Sequence, residues 1–121
     1  MIQIANIKSQ AQSSDLRIWL SAKKPVGARP DIYLGQYAPS NRLAGEWRRG
    51  EFSYSEFADQ YAHELAGGLD EMMLEEISAQ ASERDVVVLY DEVAVTRAVA
   101  SAFAEFLREL ELLVAGESAA N

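Results

Sequence analysis

The most distinct feature of the apolar pattern is an uninterrupted run at residues 86–89, three valines and a leucine between charged residues at 83–85 and 91–92. A short run of this kind is typical of a strand that is buried on both faces. Apolar residues at helical spacing follow it directly. A strand that leads into a helix is half of an α/β unit, in which ligands usually bind beyond the carboxyl end of the strand. The run therefore predicts a central strand and a candidate site at Tyr90 and Asp91.

The first third of the chain contains three shorter segments that predict further strands. Isoleucines alternate with other residues from Ile2, residues 16–22 are rich in Leu, Ile and Trp, and residues 31–35 form a weaker candidate. A helix is the alternative at 31–35, although Gly35 and the nearby prolines disfavour it. Three strands before the first helix interrupt strict alternation, so a hairpin or a mixed sheet is the alternative to a parallel sheet.

Four helices are predicted after residue 39. Ser40 is a good N-cap for the first helix and Gly50 ends it, while Ser53 and Glu56 form a capping box at the start of the second. Asp70 caps the third, and the last begins near residues 94–96. The residues predicted to be buried lie at helical spacing: Trp47; Phe57, Tyr61 and Leu65; Leu69, Met73 and Ile77 with Leu74 beside them; and Val95, Val99, Ala102, Phe103, Phe106 and Leu110, continued by Leu112 and Leu113 before Gly116.

These elements predict a single-domain α/β sandwich with a mainly parallel sheet of three to four strands. The helices are concentrated in the C-terminal two thirds. We expect one domain over residues 1–115 and a flexible C-terminal tail over residues 116–121. For the last helix two alternatives remain: its broad apolar stripe is buried within its own domain, or one side of it pairs with a second copy in a homodimer.

Composition excludes several classes of function. The chain has 121 residues, 49% of them apolar, and a formal charge of −8, which argues against binding to nucleic acid or to an anionic membrane surface. No cysteine is present, so disulfides, thiolate catalysis and thiolate metal sites are excluded. The single histidine, His63, lies two residues from Tyr61 and is expected on the exposed side of its helix. We therefore predict neither a metal nor a cofactor.

The N-terminal segment has no signal-peptide pattern, and no apolar stretch approaches the length of a membrane span. The expectation is a bacterial-type cytoplasmic protein.

An ordered set of short motifs resembles a known family. The motifs are Ala38-Pro39-Ser40; Leu43 and Trp47; Phe57, Tyr61, Glu64 and Leu65; Leu89-Tyr90; and the segment Phe103 to Arg108. In this order they resemble "APS..L..W", "F...Y..EL", "LLY" and "LAEYLR" of the domain of unknown function 488 family, which consists of small bacterial proteins. The resemblance covers about Arg17 to Arg108. It implies a compact α/β fold with Rossmann-like or flavodoxin-like layering and no established activity.

The chain departs from this family at its polar positions. Members usually carry an Asp-Arg pair and a Pro-Arg-Gly turn after the second strand. In residues 20–27 of this chain the proline and glycine are kept, but Ser21, Ala22 and Val26 replace the aspartate and both arginines. Ala44 stands where the family usually has an arginine after the "APS..L" motif. Every polar position that the resemblance would carry over as functional is missing, so it predicts no catalytic residue here and indicates a divergent member.

Two groups of residues remain as candidates for chemistry. Lys23, Lys24 and Arg29 are the densest basic group and could receive a phosphate or carboxylate, helped by free amides after Ser40; the alternative is a solvated loop. Asp91 could act as a metal ligand or general base, or as an acidic residue at a helix start. Tyr90 faces either the core or a cleft, and the anion hypothesis would gain from Arg42, Arg48 and Arg49 if they faced the same cleft.

The leading hypothesis is a non-catalytic binding or interaction module. The alternative is an enzyme or a small-anion-binding protein, with a site at the carboxyl ends of the strands. Convergence of the candidate residues in one cleft, with a perturbed ionisation, would favour the alternative.

Overall fold

The computed structural model of the chain describes residues 1–9, 15–21, 30–68 and 71–120. The strands are β1 (Ile2–Asn6), β2 (Leu16–Trp19), β3 (Ile32–Tyr33) and β4 (Val86–Tyr90). The helices are α1 (Asn41–Arg48), α2 (Tyr54–Gly68), α3 (Glu71–Gln80) and α4 (Ala94–Ala120), and a short 3₁₀ turn at Gly35–Tyr37 precedes α1. The predicted α/β class is confirmed, with the α-helices in the C-terminal two thirds.

The four strands form one sheet in the order β1-β4-β2-β3, and every neighbouring pair is parallel. β4 is central, as predicted, with Val88 opposite Ile4 on one side and Ile18 on the other. The hairpin and mixed-sheet alternatives are wrong. All four strands therefore run in one direction.

Both faces of β4 are buried, which explains its uninterrupted apolar run. Val86 and Val88 face the layer of helices. Val87 and Leu89 join Ile7 and Trp19 in a smaller cluster on the opposite face. Successive side chains of a strand point to opposite faces, and all four residues at 86–89 are at most 4% exposed.

The main core lies between the helices and one face of the sheet. The five aromatic residues predicted to be core all contact it: Phe57, Tyr61 and Phe103 are at most 1% exposed, and Trp47 and Phe106 are partly buried at its margin. The hydroxyl of Tyr61 donates a hydrogen bond to the carbonyl of Tyr37. Burial raises the pKa of Tyr61 because the charged phenolate would lose its hydration.

The predicted ends of α1 and the start of α2 are confirmed. The Ser40 hydroxyl accepts a hydrogen bond from the Leu43 amide at the start of α1. Gly50 follows α1 with a φ of 72°, a backbone conformation that side chains with a Cβ disfavour. At the start of α2, the Glu56 amide donates to the Ser53 hydroxyl and the Ser53 amide donates to the Glu56 carboxylate, which is the reciprocal pattern of a capping box.

The buried face of α3 differs from the prediction. Met73 is 38% exposed, whereas Leu74 and Ile77 are at most 4% exposed. The prediction for Met73 is wrong because α3 turns the face with Leu74, Ile77 and Ser78 towards α4, where the Ser78 hydroxyl donates to the Leu107 carbonyl. Leu69 and Asp70 lie outside the described residues.

The C-terminal part of α4 also differs from the prediction. Leu112 and Leu113 are 73% and 64% exposed, so they do not extend the buried stripe. The guanidinium of Arg108 donates to the carbonyl of Ile2, the first residue of β1, so Leu112 and Leu113, about one turn further along α4, lie beyond the start of this strand. The helix continues to Ala120, beyond the predicted end at Gly116. The division into a domain and a flexible tail stays a prediction.

Candidate functional site

A pocket of about 230 Å³ lies at the carboxyl ends of β2 and β4, between one face of α1 and the N-terminal part of α4. Strand ends of a parallel sheet are the usual position of ligand sites in α/β folds. Its apolar lining comes from Trp19, Leu20, Ala38, Pro39, Ala44, Leu89, Val95 and Val99, and its polar lining from Ser21, Asn41, Arg48 and Thr96. We refer to it as the strand-end pocket.

The α1 side of the strand-end pocket is joined to α2 through Ser40. The Ser40 amide donates to Glu64 Oε1 at 2.8 Å, and the Ser40 hydroxyl donates to Glu64 Oε2 at 2.6 Å. The same hydroxyl accepts the Leu43 amide. The amides of Ser40 and Leu43 therefore already have protein partners, and Ser40 acts as a cap that fixes the start of α1.

The α4 side is held by Asp91 and Thr96. Asp91 Oδ1 accepts the Val93 amide at 2.8 Å and lies 2.8 Å from the Thr96 hydroxyl. The Asp91 amide in turn donates to Thr96 Oγ1 at 3.0 Å. Such short-range bonds between side chain and backbone are typical of the residues that begin a helix. Asp91 thus positions a wall of the pocket, and Glu92 beside it forms an exposed ion pair with Lys8 at 2.9 Å.

The three arginines of the α1 region have different surroundings. Arg42 pairs with Glu46 at 2.9 Å, and Arg49 pairs with Glu51 at 3.1 Å. Arg48 lines the pocket, and among the described residues no hydrogen bond or ion pair is formed by its guanidinium. Asn41, Ala44 and Arg48 are spaced by three and four residues and therefore share one helix face. That spacing is the signal in the sequence that could have separated Arg48 from its neighbours.

The structure brings together few of the predicted site residues. Lys23, Lys24 and Arg29 lie outside the described residues, so their contribution stays a prediction. Ser40 and Asp91 support the two pocket walls without lining the pocket.

Tyr90 is half-buried against the core, and the Arg97 guanidinium lies 5.4 Å from the centre of its ring. This distance is within the range of a cation–π contact. Tyr90 is therefore explained by packing, and it does not line the strand-end pocket.

His63 is exposed, as its position opposite the apolar stripe predicts. Within residues 1–9, 15–21, 30–68 and 71–120, no group of three or more His, Asp or Glu side chains is arranged to hold a metal ion. In the same part of the chain, no helix combines the length and apolar character that crossing a bilayer requires.

Comparison with known proteins identifies the family. No curated protein and no solved structure matches the chain significantly. A family model described as the inactive DUF488-N3 subclade matches residues 1–119, nearly the whole chain. This match confirms the resemblance to the domain of unknown function 488 family and the expectation of a divergent member. The chain belongs to the inactive DUF488-N3 subclade.

Proposed function

We propose that this protein is a non-catalytic binding module that holds a small ligand in the strand-end pocket. The observation that carries the proposal is the character of the lining: eight of the twelve lining residues are apolar, and the polar ones are Ser21, Asn41, Arg48 and Thr96. A concave, mainly apolar site with a few polar groups is the usual form of a small-molecule pocket. The description of the family as an inactive subclade supports a function without catalysis.

The one contact that resembles catalytic geometry is the pair Thr96 and Asp91, whose hydroxyl and carboxylate oxygens lie 2.8 Å apart. A nucleophile and its base require about this distance. In this pair, however, the carboxylate oxygen also accepts the Val93 amide and the hydroxyl oxygen also accepts the Asp91 amide. These additional bonds hold the start of α4, so we assign the pair a structural role.

A test of the binding function is to fill the pocket. Ala44 lies on the pocket wall and is 9% exposed, so Ala44→Leu places three additional carbon atoms in the space for a ligand. Small apolar and anionic fragments that bind the wild-type protein in a thermal-shift or NMR screen should bind this variant at least about tenfold more weakly, since native-state ligands stabilise in proportion to their affinity. Ala38→Leu fills another part of the lining and is a second variant if Ala44→Leu disturbs the core.

The matched control is Ala79→Leu, an equal increase in size at an exposed position of α3, and it should bind the same fragments as the wild type. Equal binding by Ala44→Leu, Ala38→Leu and the wild type would place the ligand elsewhere and reject the proposal. Failure of every fragment to bind the wild type would also count against it.

We also propose a cytoplasmic location, and association of two copies through the end of α4. Support for the second proposal comes from Leu112 and Leu113, which are large apolar residues at high exposure. Light scattering with size-exclusion chromatography should show a dimer for the wild type and a monomer for Leu113→Glu. A wild-type monomer at high protein concentration would contradict this proposal.

A further inference from the structure

Among the described residues that line the strand-end pocket, Arg48 is a cation without a protein partner. Arg42 and Arg49 lie on the same short segment but each forms an ion pair with a nearby glutamate. A guanidinium has five N–H donors in a planar fork that matches the two oxygens of a carboxylate. The lining face of α1 therefore presents a guanidinium without a described partner directly beside an apolar surface.

The volume and lining of the pocket limit the rest of the ligand. An engineered apolar cavity of roughly 150 Å³ is large enough to bind benzene, so a pocket of about 230 Å³ accommodates one ring and a short substituent. Val95, Val99 and Ala44 provide an apolar wall for such a ring. A strongly polar ligand would leave its polar groups against these side chains without hydrogen-bond partners, which is unfavourable.

The charge of the surroundings favours a monoanion over a dianion. The carboxylates of Asp91 and Glu64 lie behind the two walls of the pocket, where they bond Thr96 and Ser40. The chain as a whole carries a formal charge of −8. Among the described lining residues, one arginine without a partner can balance one negative charge, whereas a second charge on the ligand would be repelled by these carboxylates.

We infer that the ligand is a small single-ring or similarly compact apolar carboxylic acid, bound as its monoanion with the carboxylate at Arg48. This inference rests on the proposed binding function and deepens it, because it names the ligand class and the residue that selects it. Hydrogen bonds between charged groups are stronger than those between neutral groups. The carboxylate is therefore the part of the ligand that determines selectivity, and the ring provides apolar burial.

The experiment compares two ring compounds of the same shape. Isothermal titration or NMR titration is carried out with benzoate and with benzamide, which differ in charge, and with phenyl phosphate as the dianionic probe. For the wild type we expect benzoate to bind about tenfold tighter than benzamide, and phenyl phosphate to bind more weakly than benzoate. In the NMR titration, changes in the amide chemical shifts of Val95 and Val99 show whether the ring occupies the pocket.

The variants separate Arg48 from the overall charge of the protein. In Arg48→Ala, benzoate should bind no tighter than benzamide, while benzamide binds as it does to the wild type. Arg48→Lys retains the charge without the planar fork and should retain part of the preference. Arg42→Ala lowers the net charge by the same amount on the same helix and should bind both compounds as the wild type does.

Each unexpected binding result rejects a different part of the proposal. Equal binding of benzoate and benzamide to the wild type, or an unchanged preference in Arg48→Ala, would overturn the assignment of Arg48 and leave the pocket as a binding site for neutral ligands. Tighter binding of phenyl phosphate than of benzoate would overturn the assignment of the ligand as a monoanion. If neither ring bound the wild type, both the proposed function and this inference would be rejected.

Discussion

The contact between Ser40 and Glu64 supports one wall of the strand-end pocket, and its removal gives a quantitative test of that role. Ser40 accepts the Leu43 amide at 3.2 Å, and both its amide and its hydroxyl donate to the Glu64 carboxylate at 2.8 and 2.6 Å. Ser40→Ala removes the cap and the hydroxyl–carboxylate bond. Glu64→Ala removes both bonds to the carboxylate but leaves the cap.

The expected losses in the free energy of unfolding follow from these bonds. Loss of an N-cap serine costs about 1 kcal/mol. A hydrogen bond to a charged group can contribute more than that, but Ser40 is exposed, so about 1 kcal/mol is appropriate for the hydroxyl–carboxylate bond. We therefore expect a loss of about 2 kcal/mol for Ser40→Ala and about 1 to 2 kcal/mol for Glu64→Ala. The double variant should lose about 1 kcal/mol less than the sum, because both single variants remove the same bond.

Urea unfolding followed by far-UV circular dichroism measures these differences by linear extrapolation. The matched control is Asp59→Ala, which removes one carboxylate from an exposed position of the same helix and should change the stability by less than about 0.5 kcal/mol. Additive losses of unfolding free energy in the double variant would refute a contribution of the Ser40–Glu64 bonds to stability. A loss for Glu64→Ala no larger than that of the control would refute it as well. Weaker fragment binding by Ser40→Ala would link the cap to the shape of the pocket.

Two further predictions concern glycines and a buried tyrosine. Gly50→Ala should destabilise the protein by about 1 kcal/mol because the φ of 72° disfavours a Cβ. Gly67→Ala, in α2 and with open space around the new Cβ, should be neutral or stabilising by about 0.5 kcal/mol in the same urea titration; equal losses would contradict the backbone argument. Burial raises the pKa of Tyr61 above that of the unfolded chain, so its contribution to stability is complete below about pH 10. This contribution is lost as the pH rises further, and Tyr61→Phe should lose less stability between pH 9 and 11 than the wild type; an unchanged alkaline profile would contradict this.

Much of the secondary structure could be predicted because its determinants are local. The central strand follows from four consecutive apolar residues at 86–89, whose burial on both faces requires that pattern. The boundaries at Ser40, Gly50 and Ser53 follow from hydrogen bonds and backbone angles within a few residues of each position. The sequence left a hairpin or a mixed sheet open as alternatives to parallel pairing, because the direction of a strand depends on the path of the connecting segments.

The buried faces of the helices were predicted less reliably. Met73 has the spacing of a buried stripe, as do Leu112 and Leu113, yet all three are exposed. Periodicity identifies residues that share a helix face, but it does not determine how far a neighbouring element covers that face. Met73 is exposed because of the rotation of α3 against α4. The two leucines are exposed because α4 extends beyond the sheet.

The sequence by itself determined the α/β class, the central strand, the helix caps and the position of the candidate site beyond the strand ends. Only the tertiary structure decided that the Ser40 cap also bonds Glu64 of α2 and that Arg48 lines the pocket without a described partner. The bond between Asp91 and Thr96 is local, but only the fold places Thr96 in the lining of the pocket. The physical reason is that the role of a carboxylate depends on the hydrogen-bond donors around it. The donors of Ser40 and the carboxylate of Glu64 lie 24 residues apart in the chain, and they meet only when α1 packs against α2.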